Sequence, residues 1–234
     1  MDSISGDQSD IGVIFLSGAG LQGWIWEKVR EKINAPSMTI DFSALDKNSS
    51  LNDYTNTAFE QVDRLGVAKF IIVGHSIGGV VGSELAKKLG KRLVGFIGVC
   101  AVIPEPGEAY LSAFPLQQRL MMKLIFKLAG TRPPESMIRK GLCAGIHNED
   151  TDRVVRDFRQ EAVRLYTDST STTPLPKCPN LYICTSADKD LPLSLQGRIA
   201  RNLSDVTIAT VDSGHLPMLS HPGEVTTYIN DFLS

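Results

Sequence analysis

The chain has 234 residues, which is long enough for one large domain or two small ones. It is 42% hydrophobic and 21% charged, and its net charge of −2 comes from no long run of one sign. These values predict a globular protein with one sizeable core, and they disfavour binding to nucleic acid or to an anionic membrane surface.

Residues 1–10 are polar and acidic, so they predict a loose tail and not a secretory signal. No apolar stretch reaches the roughly 18–20 residues that a membrane span needs. The cysteines show no C-x-x-C spacing of a zinc or redox motif, and we expect them to be reduced: Cys100, Cys143, Cys178 and Cys184. Together these features predict a cytoplasmic protein.

Short apolar runs alternate with helical patterns through most of the chain. Strands are predicted at 11–16, 37–42, 69–73, 93–102, 180–185 and 206–211. Helices are predicted at 24–33, 51–65, 80–89, 192–203 and 223–233. The strand runs are apolar throughout and are separated by helices, which is typical of a mostly parallel sheet buried on both faces. The sequence therefore predicts an α/β fold with about six strands.

Residues 104–172 interrupt this alternation and predict a helical insertion within a single domain of residues 1–234. The insertion holds two stripes of apolar residues at helical spacing. The first stripe is Met121, Leu124, Ile125 and Leu128, and the second is Val154, Val155, Phe158, Ala162 and Tyr166. We expect most of these side chains to pack the insertion onto the core as a cap. Phe114 or Met121 would then face a substrate.

The segment Gly74-His75-Ser76-Ile77-Gly78 fits the G-x-S-x-G pattern of a nucleophile elbow. It follows a predicted strand and opens a predicted helix, which is the setting that this pattern needs. A serine on so tight a turn leaves no room for side chains two residues to either side, so Gly74 and Gly78 fit the same interpretation. The alternative is that Ser76 merely caps the helix.

A serine hydroxyl is a poor nucleophile unless a base lies beside it. His215 follows the last predicted strand, at the sheet edge where such sites form, and is our candidate for the base. His75 is expected to be a structural neighbour, His147 a surface residue and His221 the start of the last helix.

In this fold the acid that orients the base comes between the serine and the histidine along the chain. Asp188, just after the strand at 180–185, is our candidate. Asp190 is a near alternative, and Glu105 or Glu108 is a more remote one.

These residues occur in an order that resembles the α/β-hydrolase superfamily, and within it the small esterases similar to plant methyl esterases and hydroxynitrile lyases. The resemblance covers nearly the whole chain and is weakest in the insertion. It rests on LSGAG at 16–20 followed by two tryptophans, GHSIGG at 74–79, the segment 185–196, and GHLPMLSHP at 214–222.

The resemblance implies an oxyanion hole formed by the backbone N–H groups of Ala19 and Ile77. For Ile77 the position at a helix N-terminus directly after the serine leads to the same interpretation. The family usually has a histidine where this chain has Ser17; that histidine is structural, so no catalytic group is lost. The lyases carry a threonine in place of Gly18 and a lysine in place of Leu216, which favours hydrolysis here.

We therefore expect a serine carboxylesterase that acts on a small ester through an acyl-enzyme on Ser76, with His215 as base and Asp188 as its orienting acid. No metal or cofactor is expected, and no nucleic acid or membrane partner. A homodimer is compatible with the sequence. The alternatives are another hydrolase with the same triad (a carbon–carbon bond hydrolase, a lactonase or a cofactor-free haloperoxidase) or a non-catalytic ligand receptor. The sequence leaves the identity of the ester open.

Overall fold

The computed structural model describes residues 10–234, so the tail predicted for residues 1–10 lies almost wholly outside the described residues. Six strands form one sheet: β1 (Ile11–Leu16), β2 (Ser37–Thr39), β3 (Lys69–His75), β4 (Leu93–Val99), β5 (Asn180–Thr185) and β6 (Val206–Val211). The sheet order is β2-β1-β3-β4-β5-β6, and every neighbouring pair is parallel. The predicted α/β fold with six strands is confirmed.

The helices are α1 (Glu27–Arg30), α2 (Leu51–Val62), α3 (Gly78–Leu89), α4 (Leu116–Ala129), α5 (Glu135–Met137), α6 (Asn148–Asp157), α7 (Val163–Thr167), α8 (Leu193–Ala200), α9 (Pro217–Ser220) and α10 (Pro222–Leu233). Short 3-10 turns lie at Gly23–Trp26, Asp63–Leu65, Gly90–Arg92 and Tyr110–Ala113, and a π turn lies at Ile138–Leu142. None of the helices found within residues 10–234 is long and apolar enough to cross a bilayer.

Alternate residues of each central strand enter two apolar clusters, one on each face of the sheet. In β1, Ile14 packs with α2, α3 and α8 on one face, whereas Val13 and Phe15 pack with α1 and α10 on the other. Because both faces are covered, the strands are apolar throughout, which is the pattern that the sequence shows.

Several predicted elements are shorter than expected, including the helix at 192–203, which is found at Leu193–Ala200. The helix expected at 24–33 is a 3-10 turn followed by the four-residue α1, whose Val29 is buried. β2 is an edge strand that ends at Thr39, the last residue that pairs with β1. β4 ends at Val99, where Cys100 takes a left-handed backbone with φ of 35° that breaks the strand.

The insertion connects β4 to β5, and its two apolar stripes behave differently. The second stripe is buried as expected, although it is divided between α6, α7 and the turn between them. The first stripe, on α4, points away from the core, so the expectation that it packs the insertion down is wrong. Met122 and Phe126 pack on the core instead, because they lie on the opposite side of α4.

Candidate active site

Ser76 lies on a strained turn between β3 and α3, with a φ of 52° that a residue with a side chain rarely adopts. A Cβ atom at Gly74 would lie 2.9 Å from the Gly79 Cα, and one at Gly78 would lie 2.4 Å from the Leu16 carbonyl oxygen. The crowding that the two glycines predict is therefore present. Ser76 is not the cap of α3, since that position belongs to its neighbour Ile77.

The loops after β5 and β6 bring Asp188 and His215 into contact at the same edge of the sheet. The His215 Nδ1 lies 2.7 Å from the Asp188 Oδ2, and both side chains are buried. Asp190 forms no hydrogen bond with His215 among the described residues, and Glu105 and Glu108 are exposed on the insertion. Of the four acids considered from the sequence, Asp188 alone pairs with the imidazole.

Several donors hold the Asp188 carboxylate in place. Its Oδ1 accepts the backbone N–H groups of Asp190 and Leu191 at 2.8 and 2.9 Å, and its Oδ2 accepts the Thr185 hydroxyl at 3.0 Å. Burial opposes the ionisation of this group, but the hydrogen bond from His215 and the two amides outweigh it and lower the pKa of Asp188. The carboxylate therefore stays charged beneath the imidazole.

The pKa of His215 is raised above its ordinary value of 6.5. Burial disfavours the imidazolium, but Cys100 and the hydrogen-bonded Asp188 act in the opposite direction and prevail. Burial also raises the pKa of the Cys100 thiol, so that thiol is uncharged, and we attribute the stabilisation of the imidazolium to Asp188. An imidazole of this kind is well suited to accept a proton and hold it.

His75 supports the backbone of His215. Its Nε2–H donates to the His215 carbonyl oxygen at 2.9 Å, which assigns the proton to Nε2 and leaves Nδ1 without a partner among the described residues. Burial and the nearby charge of His215 lower the pKa of His75 to about 3, so its ring is neutral at ordinary pH. The role of structural neighbour expected for His75 fits these contacts. His147 is exposed and His221 caps α10.

Ser76 and His215 are packed around the same small group of residues. A Cβ at Gly18 would lie 2.7 Å from the His75 Nδ1 and 3.0 Å from the Ser76 Cβ, and the rings of His75 and His215 are 4.8 Å apart. Among the described residues the Ser76 hydroxyl forms no hydrogen bond, including none with His215. Such contacts are often long in unliganded sites and shorten when substrate binds.

Two backbone N–H groups near Ser76 are free of partners. Neither the Ala19 N–H nor the Ile77 N–H donates to another described residue, and both residues line one cavity of about 440 Å³. Free amides beside a nucleophile are what an oxyanion hole requires. The departure at Ser17 leaves its buried hydroxyl without a partner in the described part of the chain, yet Ala19 still shares this cavity with Ile77.

The cavity that Ala19 and Ile77 share is not uniformly apolar. Its wall is mixed, with apolar residues such as Phe42 and Leu165 beside charged ones such as Asp41, Arg159 and Glu161. Neither Phe114 nor Met121 lines it, because Phe114 packs in the core against Tyr110 and Met121 is exposed. The structure therefore places neither of these two residues at this cavity.

Residues 158–161 of the insertion contact the loop that carries Ala19, mainly through hydrogen bonds to Gly20. The Gly20 N–H donates to the Glu161 Oε1 at 3.1 Å, and the Gly20 carbonyl accepts the Arg159 N–H at 2.9 Å. The Glu161 Oε2 accepts the Tyr54 hydroxyl of α2 at 2.6 Å. Gly20 has a φ of 73°, and a Cβ there would lie 2.3 Å from the Phe158 ring. Sequence reasoning missed Glu161 and Tyr54, because neither belongs to a motif and their contact joins residues 107 positions apart.

Two groups of three potential metal ligands occur among residues 10–234, and both include His215. The first adds His75 and Cys100, and the second adds Asp188 and Asp190. In the first, the His75 Nε2–H and the Cys100 thiol already donate to the His215 carbonyl oxygen. In the second, Asp188 is occupied by the donors described above. Several of the potential ligand residues are thus already engaged in the hydrogen bonds of the site.

Comparisons with known proteins show the family of this chain and several relatives. Residues 13–227 match the model of the alpha/beta hydrolase family. The pFDCC methylesterase MES16 of Arabidopsis thaliana is 24% identical over 98% of this chain and 97% of its own length. Methyl jasmonate esterase 1 of Vitis vinifera is 25% identical over 94% of this chain and 95% of its own.

Solved structures share the fold at low identity. An extracellular alpha/beta-hydrolase from a Paenibacillus species has a TM-score of 0.82 and 14% identity, covering 94% of this chain and 98% of that one. The crystal structure of MES16 has a TM-score of 0.71 and 21% identity, covering 94% and 97%. The resemblance to plant methyl esterases that the sequence motifs predicted is confirmed.

Proposed function

Since the chain belongs to the alpha/beta hydrolase family, we propose that it is a serine carboxylesterase that cleaves a small ester through an acyl-enzyme on Ser76. The observation that carries this proposal is the buried hydrogen bond between Asp188 and His215 beside a serine held at a strained elbow. The matches to methylesterases support ester hydrolysis as the reaction.

The proposed chemistry uses the side chains as follows. The Ser76 Oγ attacks the ester carbonyl carbon while the His215 Nε2 takes the hydroxyl proton. Asp188 keeps the proton on Nδ1 and stabilises the imidazolium that forms. The N–H groups of Ala19 and Ile77 bind the negative oxygen of the tetrahedral intermediate. The imidazolium then protonates the leaving alcohol, and water repeats the sequence on the acyl-enzyme.

The cavity that Ala19 and Ile77 line, whose wall includes neither Ser76 nor His215, is the proposed binding place for the part of the ester that extends away from the reacting carbonyl. A volume of about 440 Å³ suits a small substrate, and the mixed wall favours an acid or alcohol part that carries polar groups. The relatives are named as methylesterases, so methyl esters of small polar or aromatic acids are the first substrates to test. In this proposal the insertion forms the cap over the site within a single domain.

The proposed location is a reducing compartment such as the cytoplasm. All four cysteines are unpaired, and Cys100, Cys143 and Cys184 are buried, where a thiol packs as a small apolar group.

The test is turnover and covalent labelling of the purified protein. A fluorophosphonate should attach to Ser76, and short methyl and nitrophenyl esters should be cleaved. Ser76→Ala should lose labelling and nearly all turnover, keeping at most the roughly 10³–10⁴ over water that oxyanion donors and binding supply. Ser83→Ala is the matched control, because Ser83 is a buried serine of α3 that bonds only its own helix at the Gly79 carbonyl.

Two results would contradict the proposal. Ester cleavage that survives Ser76→Ala unchanged would exclude an acyl-enzyme on Ser76. Release of cyanide from mandelonitrile that depends on Ser76, without ester cleavage, would indicate a lyase instead.

A further inference from the structure

The exposed apolar surface of this protein is concentrated on one helix of the insertion. Nine large hydrophobic side chains are exposed among the described residues, and six of them lie on α4. These six are Leu116, Leu120, Met121, Leu124, Ile125 and Leu128. Leu128 is 77% exposed and the least exposed of the six, Ile125, is 47% exposed. Single exposed hydrophobic residues are ordinary, but six on fourteen residues of helix give α4 a largely apolar outer face, which Gln117 interrupts in the first turn.

This face is separate from the one that attaches α4 to the protein. Met122 and Phe126, four residues apart, pack on the core, and the Phe126 ring lies 4.7 Å from the Tyr166 ring. Leu120 and Leu124 share the same spacing but project on the other side. The outer face is therefore mostly uncovered, and the packing that holds α4 comes from Met122 and Phe126.

The charges of α4 are all of one sign. Residues 116–129 contain Arg119, Lys123 and Lys127 and no acidic residue, although the whole chain has a net charge of −2. Arg119 is turned inward, where its guanidinium donates to the carbonyl oxygens of Phe114 and Ser112.

Lys123 and Lys127 are the two cations that remain at the surface of α4. Both are exposed, and neither forms an ion pair with any residue from 10 to 234. They follow Leu120 and Leu124 by three residues, which places them along one border of the apolar face.

We propose that the outer face of α4, with Lys123 and Lys127, binds the surface of an anionic lipid membrane. A helix with an apolar face and basic borders lies in the membrane interface with its apolar side chains among the acyl chains, while lysines reach the phosphates. Anionic headgroups supply the charge that this helix lacks. A second copy of the chain fits less well, because pairing two such faces brings lysines together with no carboxylate of α4 to balance them.

The test is co-sedimentation of the intact protein with lipid vesicles. The protein should bind vesicles containing about a third phosphatidylserine and should bind phosphatidylcholine vesicles much more weakly. High salt should release most of it, because screening removes the lysine contribution. The assay involves no ester turnover, so its result stands apart from the proposed function.

Variants separate the apolar contribution of the leucines from the electrostatic contribution of the lysines to vesicle binding. The double variant Leu120→Glu/Leu124→Glu should abolish sedimentation with vesicles. Lys123→Gln and Lys127→Gln should each weaken binding by about fivefold, the effect of one basic residue near an anionic surface. The matched control is Ile208→Glu on β6, which changes a residue of similar exposure, 51%, far along the chain from α4 and should bind like the unchanged protein.

Four outcomes would overturn the proposal. Binding could be equal for neutral and anionic vesicles, or absent from both. It could survive the double leucine variant, or analytical ultracentrifugation could show a dimer that this variant dissociates, which would make α4 a protein interface. Circular dichroism and the melting temperature of each variant confirm that the fold is retained, and the lysine variants test the proposal independently if the leucine variant is unstable.

Discussion

The loops after β5 and β6 differ from α4 in how they are held. Asp188 is fixed by two backbone amides, the Thr185 hydroxyl and His215, and three of these four hydrogen bonds are buried. α4 is attached through Met122 and Phe126 and has no buried residue of its own. The loops at the sheet edge hold their polar side chains by several hydrogen bonds each, whereas the outer face of α4 is left open to other contacts. Glu161 connects the insertion to a third region, the loop after β1, through the Gly20 N–H.

The largest expected effect comes from breaking the pair at the sheet edge. Asp188→Asn should lower kcat by up to about 10⁴, because the amide favours the wrong histidine tautomer. Asp188 raises the pKa of His215, and the base works when neutral, so activity of the unchanged protein falls as pH drops through that raised pKa. In Asp188→Asn the residual activity should persist to lower pH. A pH profile of kcat/KM measures both effects.

Asp190→Asn is the control for this prediction, because Asp190 is a neighbouring aspartate without a hydrogen bond to the imidazole. Asp190→Asn should leave the fall of kcat/KM at low pH where it is in the unchanged protein. If the fall in activity at low pH shifted in Asp190→Asn and not in Asp188→Asn, Asp190 would be the acid that pairs with the imidazole.

The next effect is on stability and tests how tightly the elbow is packed. Gly78→Ala places a Cβ 2.4 Å from the Leu16 carbonyl oxygen, and backbone cannot yield as a side chain can. The free energy of unfolding should fall by about 2–3 kcal/mol. Urea denaturation followed by circular dichroism gives this value.

Gly197→Ala is the matched control for Gly78→Ala. Gly197 lies in α8, and a Cβ there meets nothing within 4 Å. Alanine should therefore stabilise the protein by about 0.5–1 kcal/mol through helix propensity. Equal effects of the two substitutions would mean that the elbow is not crowded.

A smaller effect is expected where the insertion forms hydrogen bonds with the loop that carries Ala19. Glu161→Ala removes the acceptor for the Gly20 N–H, so the neighbouring Ala19 amide loses its fixed direction. Loss of a whole oxyanion donor costs about 10²–10³ in rate, so a loosened one should cost about tenfold in kcat with little change in KM. Steady-state kinetics with one ester separates the two parameters.

Glu161→Gln should recover most of this rate, because its amide oxygen can still accept from Gly20. Tyr54→Phe should cost less than Glu161→Ala, since it leaves that bond intact and removes only the tyrosine contact. A rise in KM without a change in kcat for Glu161→Ala would indicate substrate binding instead of loop positioning.

Much of the fold and of the candidate site could be predicted because their signals are local. Buried parallel strands are apolar throughout, and the crowding around Ser76 forces glycines at fixed spacing, so both leave a mark within a few residues. Asp188 could be placed after β5 by chain order, but the choice over Asp190 needed the geometry of the turn.

The insertion could not be predicted as well, for a physical reason. The apolar pattern of 116–129 has helical spacing, and spacing shows that a helix has a face without showing what covers it. Glu161 and Tyr54 meet across more than one hundred residues of chain, and no local pattern records such a contact. The net charge of the whole chain, −2, likewise gives no information on how charge is distributed, and α4 carries only positive charges.

Gly18 has a consequence for how this chain could change its activity. The lyases that it resembles carry a threonine at this position, but here any side chain would begin 2.7 Å from the His75 ring. A mutation at position 18 alone would displace the ring that holds the backbone of His215. An evolutionary path toward lyase chemistry would therefore have to replace His75 before or together with Gly18. Either replacement alone would disturb the contact that supports the backbone of His215.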